Sequence, residues 1–258
     1  MIEFLENTYF YPTKDINMDI IFEPTLPYKN FTAFHWLPIL IIAIFGAMIM
    51  RWAIKKSVDT QYKILFYLSL FPFSSVVGRM ILTYFDGIFT LKDELPFHLC
   101  RTLAIILPFL ILKRNLFWLK VCYFLIIVGT LQALITPDLD YLPPHYSYFS
   151  YWITHGFLVL LPVYWVLVLR IGPSFIHLKY AFYTANVYLI CTLIINSILG
   201  SNYFYSSHKP VGGSMLDFFG PWPMYLLVVE VVAVVLFYLA FLPFIKKKTE
   251  KKFQEVNA

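Results

Sequence analysis

Charge is what this sequence has least of. Asp, Glu, Lys and Arg make up 14% of its 258 residues, 60% are hydrophobic, and the mean hydropathy is +0.70. A soluble globule or a disordered chain needs far more charge at its surface, and both are excluded. Cysteine is scarce too. Cys100, Cys122 and Cys191 all fall in apolar stretches and none in an outer connection, so no disulfide framework is expected, and no CxxC spacing suggests zinc. Internal repeats and low-complexity segments are missing. So is an export signal: the first 30 residues carry Glu3, Glu6, Asp15, Asp19 and Glu23 in place of a basic start and apolar centre, and the first span is expected to insert directly.

Long apolar runs are what the chain has instead. They lie at Phe34 to Ile54, Tyr62 to Tyr84, Pro96 to Leu112, Leu116 to Ile135, Tyr148 to Leu169, Tyr180 to Gly200 and Pro223 to Ile245. Each spanning helix needs about 20 residues, so seven use about 140 and leave no room for a second, soluble catalytic domain. Lipid offers the backbone no partners, so the runs are expected to be helical. Pro38, Pro72, Pro108 and Pro162 are tolerable inside such helices and are expected to kink some of them. The expected fold is an all-α polytopic bundle of seven transmembrane helices. It forms one integral membrane domain: an interfacial tail at 1–33, the bundle at 34–245 and a basic tail at 246–258.

Orientation follows from the connections. Arg51, Lys55, Lys56 and Lys63 flank the first, Lys113, Arg114 and Lys120 the third, Arg170 and Lys179 the fifth, and five lysines follow the last span. The alternate connections hold Asp86, Asp93, Glu94, Asp138, Asp140 and Asp217, with Lys209. Lys and Arg mark the cytoplasmic side, so the amino terminus is expected outside and the carboxyl terminus inside, in a multi-pass protein of the cell membrane. The basic tail also suits anionic lipid. Phe4, Tyr9, Phe10 and Tyr11 suit the outer interface.

Ionisable groups inside hydrocarbon are functional-site hypotheses by default. Arg79 lies near the outer end of the second span, and His98, Cys100 and Arg101 open the third. Gln132 lies near the end of the fourth, Thr154 and His155 in the fifth, Asn196, Asn202 and Tyr203 near the end of the sixth, and Glu230 two turns into the seventh. These form one outer slab, to which the inner half adds only Asn186. Plainer uses exist: arginines snorkel to headgroups and asparagines glue helices together. On a helical wheel His98 and Arg101 share a face, while Cys100 lies about 200° from His98. Arg101 and the nearby helix amino terminus both favour a thiolate at Cys100. His155 is the best base for it, and Gly156 lets a lipid or a helix approach closely. Cys122 and Cys191 read as packing. The outer connections at Thr136 to Pro144 and Gly200 to Pro223, with Trp222 at headgroup level, carry enough Pro and Gly to be folded lids.

Pro96-Phe97-His98-Leu99-Cys100, Leu131-Gln132-Ala133 with Thr136-Pro137-Asp138, Thr154-His155-Gly156, Asn186 with Tyr188, Gly200-Ser201-Asn202-Tyr203 and Gly220-Pro221-Trp222-Pro223 resemble, in this order, the bacterial YwaF family of integral membrane proteins. That family is similar to animal TMEM-type acyltransferases acting on ether lysophospholipids, and more remotely to the androgen-induced lipid esterases. The resemblance implies Cys100 as acyl-accepting nucleophile and His155 as base, with His98 less securely carried over.

The sequence therefore points to a lipid acyltransferase or transacylase in the outer leaflet, moving an acyl chain from a phospholipid to a lysophospholipid through a Cys100 thioester. Arg79 and Arg101 are expected to hold phosphate, and Asn202, Gln132 and Tyr203 to supply oxyanion donors. Asn196 and Trp222 are placed in the same substrate region, and Glu230 is expected to pair with an arginine. No cofactor, metal or nucleic acid is expected. The alternatives are a metal-dependent lipid hydrolase that recruits His145 and His208, a lysolipid-binding carrier, and a scaffold for envelope synthesis.

Overall fold

Hydrocarbon leaves a backbone nothing to bond but itself, and the chain answers with seven α-helices among the described residues. The computed structural model describes residues 24–210 and 214–256, with residues 246–256 described by their backbone alone. The interfacial tail, including Phe4, Tyr9, Phe10 and Tyr11, lies outside the described residues apart from its last segment.

The helices are α1 (Ala33–Ala53), α2 (Val58–Phe85), α3 (Leu99–Leu112), α4 (Leu116–Ile135), α5 (Tyr146–Leu167), α6 (Phe175–Leu199) and α7 (Met224–Val256). Short 3₁₀ turns at Tyr203–Tyr205 and Met215–Phe219 interrupt the last connection. Polar caps set several starts: Ser57 accepts from Thr60 N–H, Asn115 from Trp118 N–H and His145 from Ser147 N–H. Gly200, at φ +62°, closes α6 in the left-handed conformation that glycine adopts without strain. The last helix runs past Ile245 to Val256, so the basic tail continues as helix for most of its length. Six helices are long and apolar enough to cross a membrane. The chain is a multi-pass membrane protein with an all-α bundle.

At the centre is α5, packed against α1, α2, α3 and α4, while α6 and α7 pack outside α4. Its Leu158, Leu161, Tyr164 and Trp165 are wholly buried. Polar glue joins it to α2, where Ser75 Oγ lies 3.0 Å from Ser150 Oγ and receives a 3.0 Å bond from Thr154 Oγ1. Thr154 therefore faces α2, and its neighbour His155 points elsewhere. The outer surfaces of α1, α6 and α7 carry large exposed side chains such as Leu40, Ile190, Ile194, Val231 and Leu239, as lipid-facing helices should.

The connections sort onto two sides. On the amino-terminal side, residues 26–28 pair with 140–142 through Tyr28 N–H to Asp140 O and Leu142 N–H to Leu26 O. The Tyr205 hydroxyl crosses to Asp138 at 2.6 Å. On the opposite side, Arg114 pairs with Asp59, and Gln61 bonds the Ala53 and Lys56 carbonyls. The Lys- and Arg-rich connections thus share one side and the acidic ones the other.

Close approach of α1 to α5 depends on two glycines. A side chain at Gly156 would strike Ile42, and one at Gly46 would strike Leu160. The space beside Gly156 is therefore filled by α1 and not by lipid. Gly156→Leu should destabilise the fold by about 1–3 kcal/mol through overpacking. The readout is a lower thermal unfolding midpoint in detergent; an unchanged midpoint would contradict this packing.

Candidate functional site

The site grows from one irregularity. Whereas the sequence predicts helix from Pro96, α3 begins only at Leu99 and has 14 residues, about 21 Å of rise against about 30 Å of hydrocarbon. An upright α3 with Lys113 and Arg114 at one interface would leave its first turn about 9 Å short of the other hydrocarbon edge. Irregular backbone at that depth survives only where protein satisfies it. The lead-in is tied accordingly. The Tyr203 hydroxyl donates to Leu91 O at 2.7 Å and accepts from Leu95 N–H at 3.1 Å. Tyr188 donates to Phe97 O at 2.9 Å, Thr102 donates to Pro96 O, and Arg101 Nη1 donates to Asp93 O at 2.7 Å. Burial pushes the Tyr203 hydroxyl up to about 12, so it keeps the proton it donates.

Cys100 lies in the first turn of this short helix, half-buried, with Sγ 3.6 Å from Thr130 Oγ1 of α4. No side chain caps the turn, which leaves first-turn amides directed at the space before it. Tyr151 links this turn to α5, since it lies within electrostatic reach of Cys100 and stacks on His155 with ring centroids 4.0 Å apart. His155 Nδ1 lies 2.9 Å from Tyr151 O. A carbonyl only accepts, so Nδ1 carries the proton and Nε2 keeps its lone pair. No hydrogen bond joins Cys100 to His155 among the described residues. Such contacts are often loose until substrate binds.

His98 precedes the helix in extended backbone, at φ −74° and ψ 134°. The helical wheel therefore does not apply to it. Its ring packs 5.4 Å from both Tyr203 and Tyr205 and makes no hydrogen bond among the described residues. It also lies within electrostatic reach of His155, Arg101 and Arg79. Tyr205 sits in left-handed backbone at φ +50°, a conformation unfavourable for a side chain of that size. Its latch to Asp138 and the Tyr225 hydroxyl on its carbonyl, at 2.6 Å, hold it there. Burial and the Asp138 carboxylate push its hydroxyl upward, so Tyr205 remains a donor.

Several sequence expectations need correction. Glu230 meets neither arginine: Asn186 Nδ2 of α6 donates to it at 3.0 Å. The acidic partner is Glu94, missed because it lies in a connection. Its carboxylate receives Arg79 Nε at 2.8 Å and Nη2 at 2.7 Å as a two-pronged fork, and its side chain is 6% exposed. Arg79 Nε and Nη2 are thus taken up by Glu94. Arg101 keeps Nε and Nη2 without partners among the described residues, its Nη1 lying 3.8 Å from Glu94.

Of the expected oxyanion donors, Asn202 and Tyr203 are occupied, as is Asn196 beside them. Asn196 binds Tyr203 N–H and O, Ser201 Oγ and Ser206 Oγ, and so pins the loop after α6. Asn202 bonds Ser207 and His208, and Tyr203 is spent on the lead-in. Trp222, exposed, donates to Ser206 O at 3.0 Å. Gln132 is exposed and lies about 200° around α4 from Thr130, the residue that meets Cys100. Cys122 is buried packing, but Cys191 is exposed on α6. Among the described residues no three His, Cys, Asp or Glu side chains converge as a metal site would require. His145 caps α5 and His208 bonds Asn202.

A family model described as the TMEM164 family matches residues 30–241 of the chain. No curated protein and no solved structure matches.

The Arg79–Glu94 fork should be revealed by unequal mutant costs. Glu94→Ala leaves a largely buried guanidinium uncompensated and should cost about 3 kcal/mol, while the double substitution Arg79→Met with Glu94→Leu should cost much less. Thermal unfolding of the wild type and both variants in detergent measures this. Equal costs for the single and double variants would contradict the pairing.

Proposed function

The chain belongs to the TMEM164 family, and from that premise and the geometry around Cys100 we propose that it is a membrane lipid acyltransferase or transacylase working in the leaflet on its amino-terminal side. The Lys and Arg distribution supports that side as the extracytoplasmic one. Cytoplasmic acyl-CoA does not reach such a site, so the acyl donor is a phospholipid and the acceptor a lysophospholipid. The observation that carries the reading is the uncapped first turn of α3, which combines Cys100 with a partly free Arg101. The central helix α5 carries a histidine whose Nε2 is left bare by the Nδ1 bond to Tyr151 and which lies within electrostatic reach of Arg101.

In the first half-reaction His155 Nε2 takes the Cys100 thiol proton, and the thiolate attacks the donor ester carbonyl carbon. The tetrahedral oxyanion is stabilised by the first-turn amides of α3, with the guanidinium of Arg101 close by. The acyl carbon–oxygen bond breaks, the lysolipid oxygen takes the proton from His155, and the acyl group remains on sulfur. In the second half the acceptor hydroxyl gives its proton to His155 and attacks the thioester. The sulfur leaves as thiolate and recovers the proton. Arg101 also offers the donors that suit a lipid phosphate, and Thr130 orients the thiol. His98 stands next to these groups as a second imidazole for proton handling.

Purified protein incubated with an acyl-labelled phospholipid and an unlabelled lysophospholipid should move label to the acceptor. Cys100→Ser and His155→Ala should each reduce transfer at least about a hundredfold, as loss of a nucleophile or a general base does, and Arg101→Met should weaken it with both lipids. Full transfer by Cys100→Ser and His155→Ala would overturn the dyad, and free fatty acid without transfer would replace acyl transfer by hydrolysis.

A further inference from the structure

Between α3 and α6 lies a cavity of about 340 Å³, lined by residues that the reaction does not use. Pro96 and Phe97 form its upper end, Ile105 and Ile106 its α3 wall, and Cys191 and Ile195 its α6 wall. Thr102 and Tyr188 also line it, but their hydroxyls lie 2.7 Å from one another and are spent on the Pro96 and Phe97 carbonyls. Neither hydroxyl therefore has a donor to spare for the space, and a polar ligand would find little to bind.

We propose that this groove is the seat of one acyl chain of a membrane lipid. Continuity with the surrounding hydrocarbon selects that occupant. The groove lies within two apolar helices of a multi-pass membrane protein, and Ile106 and Cys191 are exposed at its edge. It opens on the lipid-facing surface of α6, where Val187, Ile190, Ile194 and Ile198 are exposed alongside. Hydrocarbon is the solvent on that surface. From Pro96 the groove descends past the first turn of α3 to Ile106, about 10 Å of helix rise beyond Leu99. Its upper end adjoins His98 in the chain, so a seated chain has its ester at the level of the Cys100 turn. Tyr188 lines the groove and lies within electrostatic reach of Cys100. Occupancy deepens the acyl-transfer reading by assigning it a chain subsite, but the seat itself depends only on shape and polarity.

The test uses the full chain in phosphatidylcholine vesicles doped with a phosphatidylcholine that carries a diazirine at mid-chain. After irradiation, labelled peptides are mapped by mass spectrometry. Label should concentrate on the α3 and α6 segments around Ile105, Ile106, Cys191 and Ile195. Ile105→Trp with Ile195→Trp should reduce it there to the level of α1 and α7, with helicity and unfolding midpoint retained. Cys100→Ser should leave the labelling intact. Even labelling of all lipid-facing helices, or labelling unchanged by the paired tryptophans, would overturn the seat. Concentrated labelling without acyl transfer would retain the seat and sink the transfer reading. Transfer with diffuse labelling would do the reverse.

Discussion

A helix too short for its solvent governs this molecule. With 14 residues, α3 is shorter than the roughly 20 that a spanning helix needs, and a backbone that starts its helix late has to be satisfied by other protein groups. The polar features on that side answer this constraint. Tyr203, Tyr188, Thr102 and Arg101 bond the lead-in carbonyls. Asn196 holds the loop that delivers Tyr203, and Glu94 balances Arg79. Among the described residues, what the arrangement leaves without a side-chain cap is the first turn itself, where Cys100 lies.

The polar residues divide along the same line into those bonded within the protein and those with capacity to spare. Glu94, Asn196, Asn202 and Tyr203 are bonded within the protein and hold geometry, and Arg79 joins them through its Nε and Nη2 bonds to Glu94. Cys100, His98, His155 and Arg101 keep unused capacity. Thr130 and Tyr151 connect the groups: one meets the thiol, and the other fixes the tautomer of His155 through its carbonyl. The Tyr205–Asp138 latch joins the two connections that overlie the site. Most of the supports come from connections or helix ends, whereas His155 lies on the central helix α5 and Cys100 on the shortest helix, α3.

Much of the fold is legible in the sequence because hydrocarbon imposes one requirement on every span. Apolar runs locate all seven helices, and charge sorts their connections as the structure sorts them. The start of α3 is misplaced because Pro96, Phe97 and His98 are as compatible with a buried lead-in as with a helix, and only tertiary partners decide. For the candidate site, depth gathers the neighbourhood but not the pairings. Glu230 lies at a credible depth for an arginine, yet the packing of α7 on α6 directs it to Asn186. Glu94 escapes notice as a connection residue, although it is the acid that the fold buries. Wheel arithmetic around Cys100 cannot cross helices, so it does not separate Gln132 from Thr130, which makes the contact. Asn196, Asn202 and Tyr203 carry the right chemistry for substrate but are consumed by loop hydrogen bonds that no spacing reveals. The family match over residues 30–241 covers all of these positions.

Acyl transfer by this route requires that an acyl chain rest on one sulfur. Intact-mass spectrometry of the protein after incubation with a phospholipid of defined chains, without acceptor, tests this most directly. The expected result is a mass increase equal to one acyl group, located at Cys100, removed by neutral hydroxylamine and lost when lysophospholipid is added. An unmodified Cys100 under conditions where acyl transfer proceeds would contradict it.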